Sequence, residues 1–418
     1  MTRILLTPAG SAGDVNPFIW LGRALKARGH DVVLISAAPF KAAADREGLG
    51  FVEVGDEAQF ARATEDPDLW NPRKGVGLVM ANISHLMRRG YAALEALYEP
   101  DRTILVGASL AFPTRVFEET HPGAPAATVH LSPSIFRSAT DPSRLPVGPD
   151  MARLPAWLQR GLWHLIDRFA IDPVIAPALN TWRAELGLPP VARVFDRWMH
   201  SPQRVIGLFP DWFAPPQADW PPHTHLTGFI VDQGAGGRGI DPAIETVLAD
   251  GAPPVVFTPG SANRHGAAFF RAASDASARL GIRALLVSPY ADQIPAALPD
   301  GVVHVPYAPF NVLFPRAAAV VHHGGIGTCA QGFQAGVPQL LMPMGFDQPD
   351  NAARIARLGV GASLPPDQFT GDRVARALEG LLTSAAVPRR CEEIRDRMSA
   401  SDALTRACEE VEGCAQPA

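Results

Sequence analysis

The sequence predicts an α/β protein with two parallel-sheet domains, and three observations support this prediction. The chain has 418 residues, which is more than one hydrophobic core usually holds. Short apolar runs alternate with helical segments, which is the pattern of parallel strands covered by helices on both faces. The alternation stops once, in a stretch rich in proline, glycine and aromatic residues from 209 to 239, and then restarts.

The first half opens with a strand, a glycine-rich turn and a helix. Residues 4–7 are an apolar run, residues 8–13 form the turn, and residues 17–28 repeat apolar side chains at helical spacing before Gly29. Further strands are predicted at residues 31–36, 51–54, 104–106 and 126–129. Paired prolines at 215–216 and 221–222 cannot lie inside a helix or a central strand, so we expect the first domain to span residues 1–225 and a linker to follow.

The second half repeats the same architecture. Strands are predicted at residues 254–258, 283–288, 302–305, 317–322 and 338–342. We expect the second domain to span residues 226–390, and a C-terminal helix at 391–418 to pack back towards the first domain.

Residues 151–187 predict an amphipathic helix. Apolar side chains recur at three- and four-residue spacing, which places them on one face. They are Leu154, Leu158, Leu162, Ile166 and Phe169. This face would dock on the domain core, line an apolar acceptor pocket or lie on a membrane surface.

The composition excludes several classes of protein. The net charge of −5 gives no basic surface for nucleic acid. The four cysteines show neither metal-ligand nor disulfide spacing, which fits a reducing compartment, and the chain opens on a strand and not a signal peptide, so we expect a cytoplasmic protein. No apolar run reaches the roughly 18 residues of a membrane span, so membrane contact would be peripheral. Neither Asp66-Pro67-Asp68 nor His322-His323 has the context of a metal site.

The chemistry is predicted to lie at the turn after the strand at 317–322. His323 is followed by a glycine turn, Gly324 to Gly327, and by Thr328 at the start of a helix. Exposed N–H groups and the positive end of the helix dipole suit a diphosphate there. The stretch from Gly325 to Ala330 also matches GxGxxA, with Asp347 downstream, which keeps a dinucleotide-dependent oxidoreductase as an alternative.

The surrounding segment resembles the donor-binding signature of family 1 glycosyltransferases, which have the GT-B fold. The signature is an aromatic-Ala-Pro, a His-Gly turn with Ser or Thr, a Gly-Val-Pro, a proline, and an acid-Gln pair with Asn three residues on. Its elements stand at 307–309, 323–328, 336–338, 343, 347–348 and 351. The resemblance implies two Rossmann-like domains that face each other across a cleft.

The resemblance also implies roles for the donor-site residues. Tyr307 and Ala308 would frame the nucleobase, while Asp347 and Gln348 would hydrogen-bond the sugar hydroxyls. The diphosphate would be held by His323, Gly325, Gly327 and Thr328, with Ser261 from another loop.

The N-terminal turn is the second signal. Taken alone, it is a strand-to-helix turn with Asp14 as a helix cap. It also resembles the family's Gly-Asp-x-x-Pro motif, which implies that Ser11, Gly13 and Asp14 lie in the acceptor loop and that Asp14 is the general base. The implied reaction is a one-step inverting displacement that needs no metal or other cofactor.

Two further features of the sequence restrict which donor and which acceptor are expected. Many UDP-sugar enzymes of the family carry a Glu that binds the ribose hydroxyls, and this chain has Gln331 there, which favours a 2′-deoxyribose donor. The segments at 11–18, 66–72, 195–203 and 208–221 resemble rhamnosyltransferases of mono-rhamnolipid biosynthesis. That resemblance implies dTDP-L-rhamnose as donor and a lipid-like 3-(3-hydroxyalkanoyloxy)alkanoic acid as acceptor, and peripheral association with the cytoplasmic membrane stays open. A UDP-glucose-dependent transferase acting on an apolar alcohol, a sugar-nucleotide epimerase and a non-catalytic donor-binding partner remain alternatives.

Overall fold

The structure is a computed structural model that describes residues 1–148, 150–232, 241–249, 251–260 and 263–415. The chain forms two compact units. The first contains residues 1–230 and 402–418, and the second contains residues 231–401. The predicted glycine loop at 234–239 and the predicted donor residue Ser261 lie outside the described residues.

A parallel sheet forms the centre of the first unit. Within the described residues its strands are β1 (Arg3–Thr7), β2 (Asp31–Ala37), β3 (Gly50–Gly55), β4 (Thr103–Ala108), β5 (Ala126–His130), β6 (Val205–Gly207) and β7 (Thr224–Leu226). Their order is β3-β2-β1-β4-β5-β6-β7. Strands β2 and β3 are therefore added on one side of β1, and β4 to β7 are added on the other side. All six residues of β4 and all five residues of β5 are buried because helices cover both faces.

Helices of this unit connect and cover these strands. They are α1 (Ala12–Ala27), α2 (Lys41–Arg46), α3 (Glu57–Glu65), α4 (Gly75–Leu97), α5 (Phe112–Thr120), α6 (Ala156–Ile166) and α7 (Asp172–Glu185). Helix α1 begins five residues earlier than expected, at Ala12, because Ser11 stands at its N-cap position. The last two residues of the predicted turn, Ala12 and Gly13, therefore belong to the first turn of the helix.

The segment 151–187 differs from the predicted amphipathic helix. A turn of π-helix, Asp167–Ile171, separates α6 from α7 and rotates the residues that follow it. The buried side carries Gln159, Trp163 and Asp167. Phe169, the last member of the predicted apolar face, is 71% exposed, so docking of the whole face on the domain core was wrong for this residue.

The proline-rich segment is part of the first unit's core and is not a linker. Phe209, Phe213 and Trp220 are buried, and Phe229 packs edge-to-face on Phe213 at 5.2 Å. Strand β7 lies inside this segment and adds the outermost strand to the sheet. Each proline stands outside the strand itself, which is why so many are tolerated.

The second unit also centres on a parallel sheet. In the part of the chain that the structure describes, its strands are β8 (Val255–Thr258), β9 (Ala284–Val287), β10 (Val302–Val305), β11 (Ala319–His322), β12 (Gln339–Leu341) and β13 (Gly361–Ser363). Their order is β10-β9-β8-β11-β12-β13. The helices are α8 (Pro242–Ala249), α9 (Ala267–Leu280), α10 (Phe310–Leu313), α11 (Ile326–Ala335), α12 (Gln348–Leu358), α13 (Gly371–Leu382) and α14 (Val387–Ser399).

The end of the chain returns to the first unit later than residue 391. Helix α14 packs on α11 in the second unit and buries Cys391, Ile394 and Met398. Helix α15 (Ala403–Glu412) then packs on α1 and places apolar side chains in the first unit's core. Glu412, at its end, forms an ion pair with Arg28 at 2.7 Å.

Candidate active site

In the sheet of the first unit, the strand order reverses between β1 and β4. Strands β2 and β3 extend the sheet on one side of this point, and β5 to β7 extend it on the other. Strands β1 and β4 are neighbours, and Thr7 pairs with Gly107 near their carboxyl ends. In parallel α/β sheets, ligands bind outside the carboxyl ends of the strands at such a reversal. The loop from Gly10 to Asp14 follows β1, and Ser109 follows β4. The predicted catalytic residue therefore lies where the topology favours a binding site.

Asp14 is held by the residue that caps its own helix. Its Oδ2 accepts hydrogen bonds from the Ser11 backbone N–H at 2.7 Å and from Ser11 Oγ at 3.0 Å. Burial raises the pKa of Asp14, and these two hydrogen bonds oppose that rise. Among the described residues, no hydrogen bond is made to Oδ1, which leaves that oxygen for a ligand. Gly13 is exposed beside it.

Gly10 makes room for this carboxylate. A Cβ placed on Gly10 would lie 2.3 Å from Asp14 Oδ2, and the backbone φ of +131° there suits glycine. The turn therefore combines a helix cap with a half-buried carboxylate of raised pKa. The interpretations of Asp14 as a capping residue and as a base are compatible, because the two use different oxygens.

In the second unit the reversal lies between β8 and β11. Gly260 follows β8, and the turn from Gly324 to Thr328 follows β11. The predicted diphosphate turn is therefore at the position where the sheet topology favours a ligand.

The N-terminus of α11 presents backbone donors at this position. Gly325 is the N-cap and provides no side chain to cap the helix. The N–H groups of Ile326 and Gly327 have no partner within the helix by geometry, and the first turn carries no acidic residue. Thr328, half-buried, stands in the same turn. Such a terminus suits an anion, because it offers backbone N–H donors and the positive end of the helix dipole.

The His323 ring lies between two glycines. A Cβ on Gly260 would lie 2.7 Å from the His323 ring, and one on Gly325 would lie 2.5 Å from its Nε2. Burial lowers the pKa of His323 to about 4, so the ring is neutral at pH 7 and carries one N–H donor. His323 is thus fixed at the helix terminus as a neutral hydrogen-bonding group.

His322 has a structural role. Its Nδ1 accepts a hydrogen bond from the Gly324 N–H at 3.1 Å, so the proton is on Nε2, which lies 2.9 Å from Gln339 Oε1. Burial lowers the pKa of His322 to about 3. His322 therefore holds the glycine turn in place.

Asp347 and Gln348 begin α12, beside the glycine turn. Asn351 Nδ2 donates to Asp347 Oδ2 at 2.8 Å and to the Gly324 carbonyl at 2.9 Å, which ties the two turns together. Gln348 is buried, and its Oε1 accepts from the Met344 N–H at 2.8 Å. The side-chain carbonyl of Gln348 thus shapes the turn between β12 and α12.

The remaining predicted donor residues follow β10. Tyr307 is 57% exposed, as a stacking surface for a base requires, whereas Ala308 is buried. Gln331 is buried on α11, and its Oε1 has no hydrogen-bond partner among the described residues. An unsatisfied buried oxygen is costly, so a ligand group is the natural partner for it.

Sequence reasoning missed three polar residues of the first unit. Ser109, His130 and His200 form a hydrogen-bonded chain next to the β1–β4 reversal. The available signal was a polar residue that directly follows or ends an apolar strand, as Ser109 and His130 do. No cluster of residues suited to a metal ion occurs in the described part of the chain.

The comparisons with known proteins follow this geometry. Residues 4–108 match the glycosyltransferase family 28 N-terminal domain, and residues 286–412 match the erythromycin biosynthesis protein CIII-like C-terminal domain. The chain is 31% identical, over 99% of its length and 98% of the relative's, to O-mycaminosyltylonolide 6-deoxyallosyltransferase of Streptomyces fradiae.

Two solved structures have a similar fold. The glycotransferase of kitacinnamycin matches with a TM-score of 0.76, covers 99% of each chain and is 21% identical. The spinosyn rhamnosyltransferase SpnG, complexed with thymidine diphosphate, matches with a TM-score of 0.68, covers 97% of this chain and 100% of its own, and is 19% identical.

The fold and the two turns define a GT-B protein with two Rossmann-like domains. The chain belongs to the family 1-type glycosyltransferases and is a glycosyltransferase. The alternative of an oxidoreductase was therefore wrong. Its ribose carboxylate would end a strand, whereas β12 ends at Leu341 and Asp347 begins α12. None of the described helices is long and apolar enough to cross a membrane.

Proposed function

We propose that this glycosyltransferase moves L-rhamnose from dTDP-L-rhamnose to the hydroxyl of a 3-(3-hydroxyalkanoyloxy)alkanoic acid and so forms a mono-rhamnolipid. The choice of a dTDP-sugar as donor is supported by the presence of Gln331. A carboxylate at this position suits the vicinal diol of a ribose, and the neutral amide suits a 2′-deoxyribose. The unsatisfied Oε1 of Gln331 supports its contact with a nucleotide. The thymidine diphosphate held by the similar structure SpnG agrees with this donor class.

Asp14 is the general base in the proposed mechanism. An alcohol is a weak nucleophile, and a carboxylate that removes its proton during attack contributes about 10²- to 10⁴-fold in rate. The raised pKa of Asp14 makes it a stronger base than an ordinary Asp, while its Oδ1 is available to the acceptor hydroxyl. The alcohol oxygen forms the bond to the anomeric carbon as the bond to the diphosphate breaks.

The leaving diphosphate is stabilised at the start of α11. The N–H groups of Ile326 and Gly327 and the ring of neutral His323 donate to its oxygens, so the negative charge that develops meets preorganised donors. Thr328 adds a hydroxyl, and Asp347 and the Gln348 amide hold the sugar. Ser261, outside the described residues, is proposed to assist in holding the diphosphate. Attack opposite the leaving group inverts the anomeric centre and gives the α-L-rhamnoside from dTDP-β-L-rhamnose.

An apolar acceptor is supported by the exposed face of α6 and the π-helical turn. Trp157 is 71% exposed and Leu165 is 50% exposed, and Phe169 lies on the same stretch. Arg160 and Arg168 are exposed among them. Aromatic side chains flanked by arginines suit the surface of an anionic membrane, from which a lipid-like acceptor would be drawn.

A turnover assay tests the proposal. The purified chain is incubated with dTDP-L-rhamnose and the hydroxyalkanoyloxy acid, without added metal, and the product is identified by mass. A rhamnosylated lipid is expected. Transfer from UDP-glucose in place of dTDP-L-rhamnose would contradict the proposed donor.

A polyketide alcohol is the second candidate acceptor. The relative that is 31% identical over almost the whole chain is named for a tylonolide acceptor. The same assay with a macrolide aglycone in place of the lipid separates the two acceptors. Transfer to the aglycone alone would keep the mechanism and replace the acceptor.

A further inference from the structure

A chain of three polar side chains runs from the interior of the first unit to the β1–β4 reversal. Ser109 Oγ lies 2.7 Å from His130 Nδ1, and His130 Nε2 lies 2.9 Å from His200 Nδ1. We call Ser109, His130 and His200 the Ser–His–His relay. Both rings are buried, whereas Ser109 is half-buried, so the serine is the end of the relay that reaches the surface.

The relay is neutral. Burial lowers the pKa of His200 to about 3 and lowers that of His130 well below its ordinary value. The positive charges of Arg115, Arg137 and Arg197 lower the pKa of His200 further. Each ring therefore carries one N–H, so one nitrogen of each ring donates a hydrogen bond and the other accepts one.

The relay is also rigid. Phe136 packs edge-on against His130 at 5.1 Å between ring centres and stacks on Trp220 at 4.6 Å. At the inner end His200 hydrogen-bonds the backbone of Phe195. A buried polar chain with every ring nitrogen partnered fixes the orientation of its members. Trp220 comes from the proline-rich segment, which explains why that segment belongs to this unit's core.

The outer end of the relay is at the same end of the sheet as the loop that carries Asp14. Ser109 is the first residue after β4, and the Gly10–Asp14 loop follows the neighbouring strand β1. A hydroxyl has one donor and two acceptor sites. His130 occupies one of them, so the others are left for a group outside.

We propose that Ser109, oriented by the Ser–His–His relay, hydrogen-bonds the hydroxyl-bearing end of the acceptor and positions it for Asp14. Ser109 contacts the substrate, whereas His130 and His200 are positioning residues that act through it. This inference rests on the proposed function because it assigns part of the acceptor site of the same enzyme. It assigns no role in donor binding, which uses residues of the second unit.

The test compares acceptor and donor parameters in matched variants. Ser109→Ala should raise the acceptor KM about tenfold, the usual effect of one lost hydrogen bond, while the thermal shift induced by the donor stays as in the wild type. Ser109→Thr keeps the hydroxyl and should restore most of the acceptor KM. Ser84→Ala is the control, because Ser84 is a half-buried serine of the same unit whose Oγ donates to the Met80 carbonyl at 2.8 Å on α4.

A double-mutant cycle tests whether the histidines act through Ser109. His200→Gln and His130→Asn should each raise the acceptor KM severalfold in the wild type and have no further effect in Ser109→Ala. An acceptor KM in Ser109→Ala equal to that of the wild type would overturn the inference. So would histidine effects that persist undiminished without the serine hydroxyl, because they would indicate a role in folding alone.

Assays of the wild type show whether a negative result contradicts this inference alone or the proposed function as well. It is assayed first with dTDP-L-rhamnose and the hydroxy acid, and then with UDP-glucose and a polyketide alcohol. The relay is tested with the pair that gives product. Absence of product from both pairs would contradict the proposed function and the inference that rests on it, whereas product with an unaffected Ser109→Ala variant would contradict the inference alone.

Discussion

At the scale of single residues, Asp14 both stabilises the start of α1 and serves as the proposed general base. One carboxylate oxygen closes the first turn of α1 through Ser11, and the other is left to a substrate. The sequence predicted the residue through a motif. It could not predict which oxygen does what, because that depends on the φ of +131° at Gly10 and on the missing Cβ there.

Replacement of the base should separate catalysis from donor binding. Asp14→Asn keeps an oxygen for the Ser11 N–H but removes the proton acceptor, so turnover should fall about 10²- to 10⁴-fold. The thermal stabilisation by dTDP-L-rhamnose should be retained because the proposed donor residues lie in the second unit. Unchanged turnover would instead indicate a cap without a catalytic role.

The Ser11 hydroxyl should set the acidic limb of the pH profile. The base must be deprotonated to act, so activity falls as the pH drops through the pKa of Asp14. The hydroxyl hydrogen bond lowers that pKa. Ser11→Ala removes this bond, so the acidic limb of kcat/KM should move to higher pH. A limb that stays in place would show that another group titrates.

Gly260 and Gly29 have similar backbone conformations, and together they test whether the position of the His323 ring matters for donor binding. Gly260 has φ +95° and Gly29 has φ +93°, but only a Cβ on Gly260 would meet a side chain, that of His323. Each change to Ala should cost about 1 kcal/mol of backbone strain. Gly260→Ala should also abolish most of the donor-induced thermal shift, whereas Gly29→Ala should retain it. Equal shifts would contradict the role of His323 in donor binding.

At the scale of elements, periodicity predicted the long central strands and missed the short outer ones. Strands β6, β7 and β13 each have three residues and, unlike the equally short β12, do not lie in a longer apolar run that indicates a strand. The π-helical turn at Asp167–Ile171 shifts the helical register before Phe169, and no residue pattern indicated this turn. Proline composition predicted a linker where the aromatic residues of the same segment build a core.

The exposed face of α6 should govern binding to anionic membranes. Replacing Trp157 and Phe169 together by Ser removes the two most exposed aromatic rings of this face, so co-sedimentation with phosphatidylglycerol vesicles should decrease severalfold. Leu382→Ser, at an exposed apolar residue of the second unit, is the control. Equal binding by both variants and the wild type would contradict membrane contact through this face.

At the scale of the whole molecule, the second unit is an insertion in the first. The chain leaves the first unit after Ile230 and returns at Asp402. The sequence predicted this return but placed it early, because the apolar face of α14 gives no sign of which sheet it covers. The sequence predicted the presence and order of the two domains, whereas the residues at which the chain passes from one unit to the other depend on packing.

A fragment of residues 231–401 should therefore fold alone and bind the donor nucleotide. It contains its own sheet and core, so cooperative unfolding and stabilisation by dTDP are expected in a thermal scan. The fragment 1–230 should be unstable unless residues 402–418 are joined to it by a short glycine-serine linker. A stable fragment 1–230 without that addition would contradict the packing role of α15.

Helix α15 also imposes an order on biosynthesis. Ala407, Cys408 and Val411 complete a core whose other members are made from the first strand onwards. The ribosome adds about 5–20 residues per second, so the intervening second unit takes roughly ten to thirty seconds to emerge. During that interval the nascent first unit exposes an unfinished apolar surface to chaperones, and α15, which is translated after the second unit, closes it.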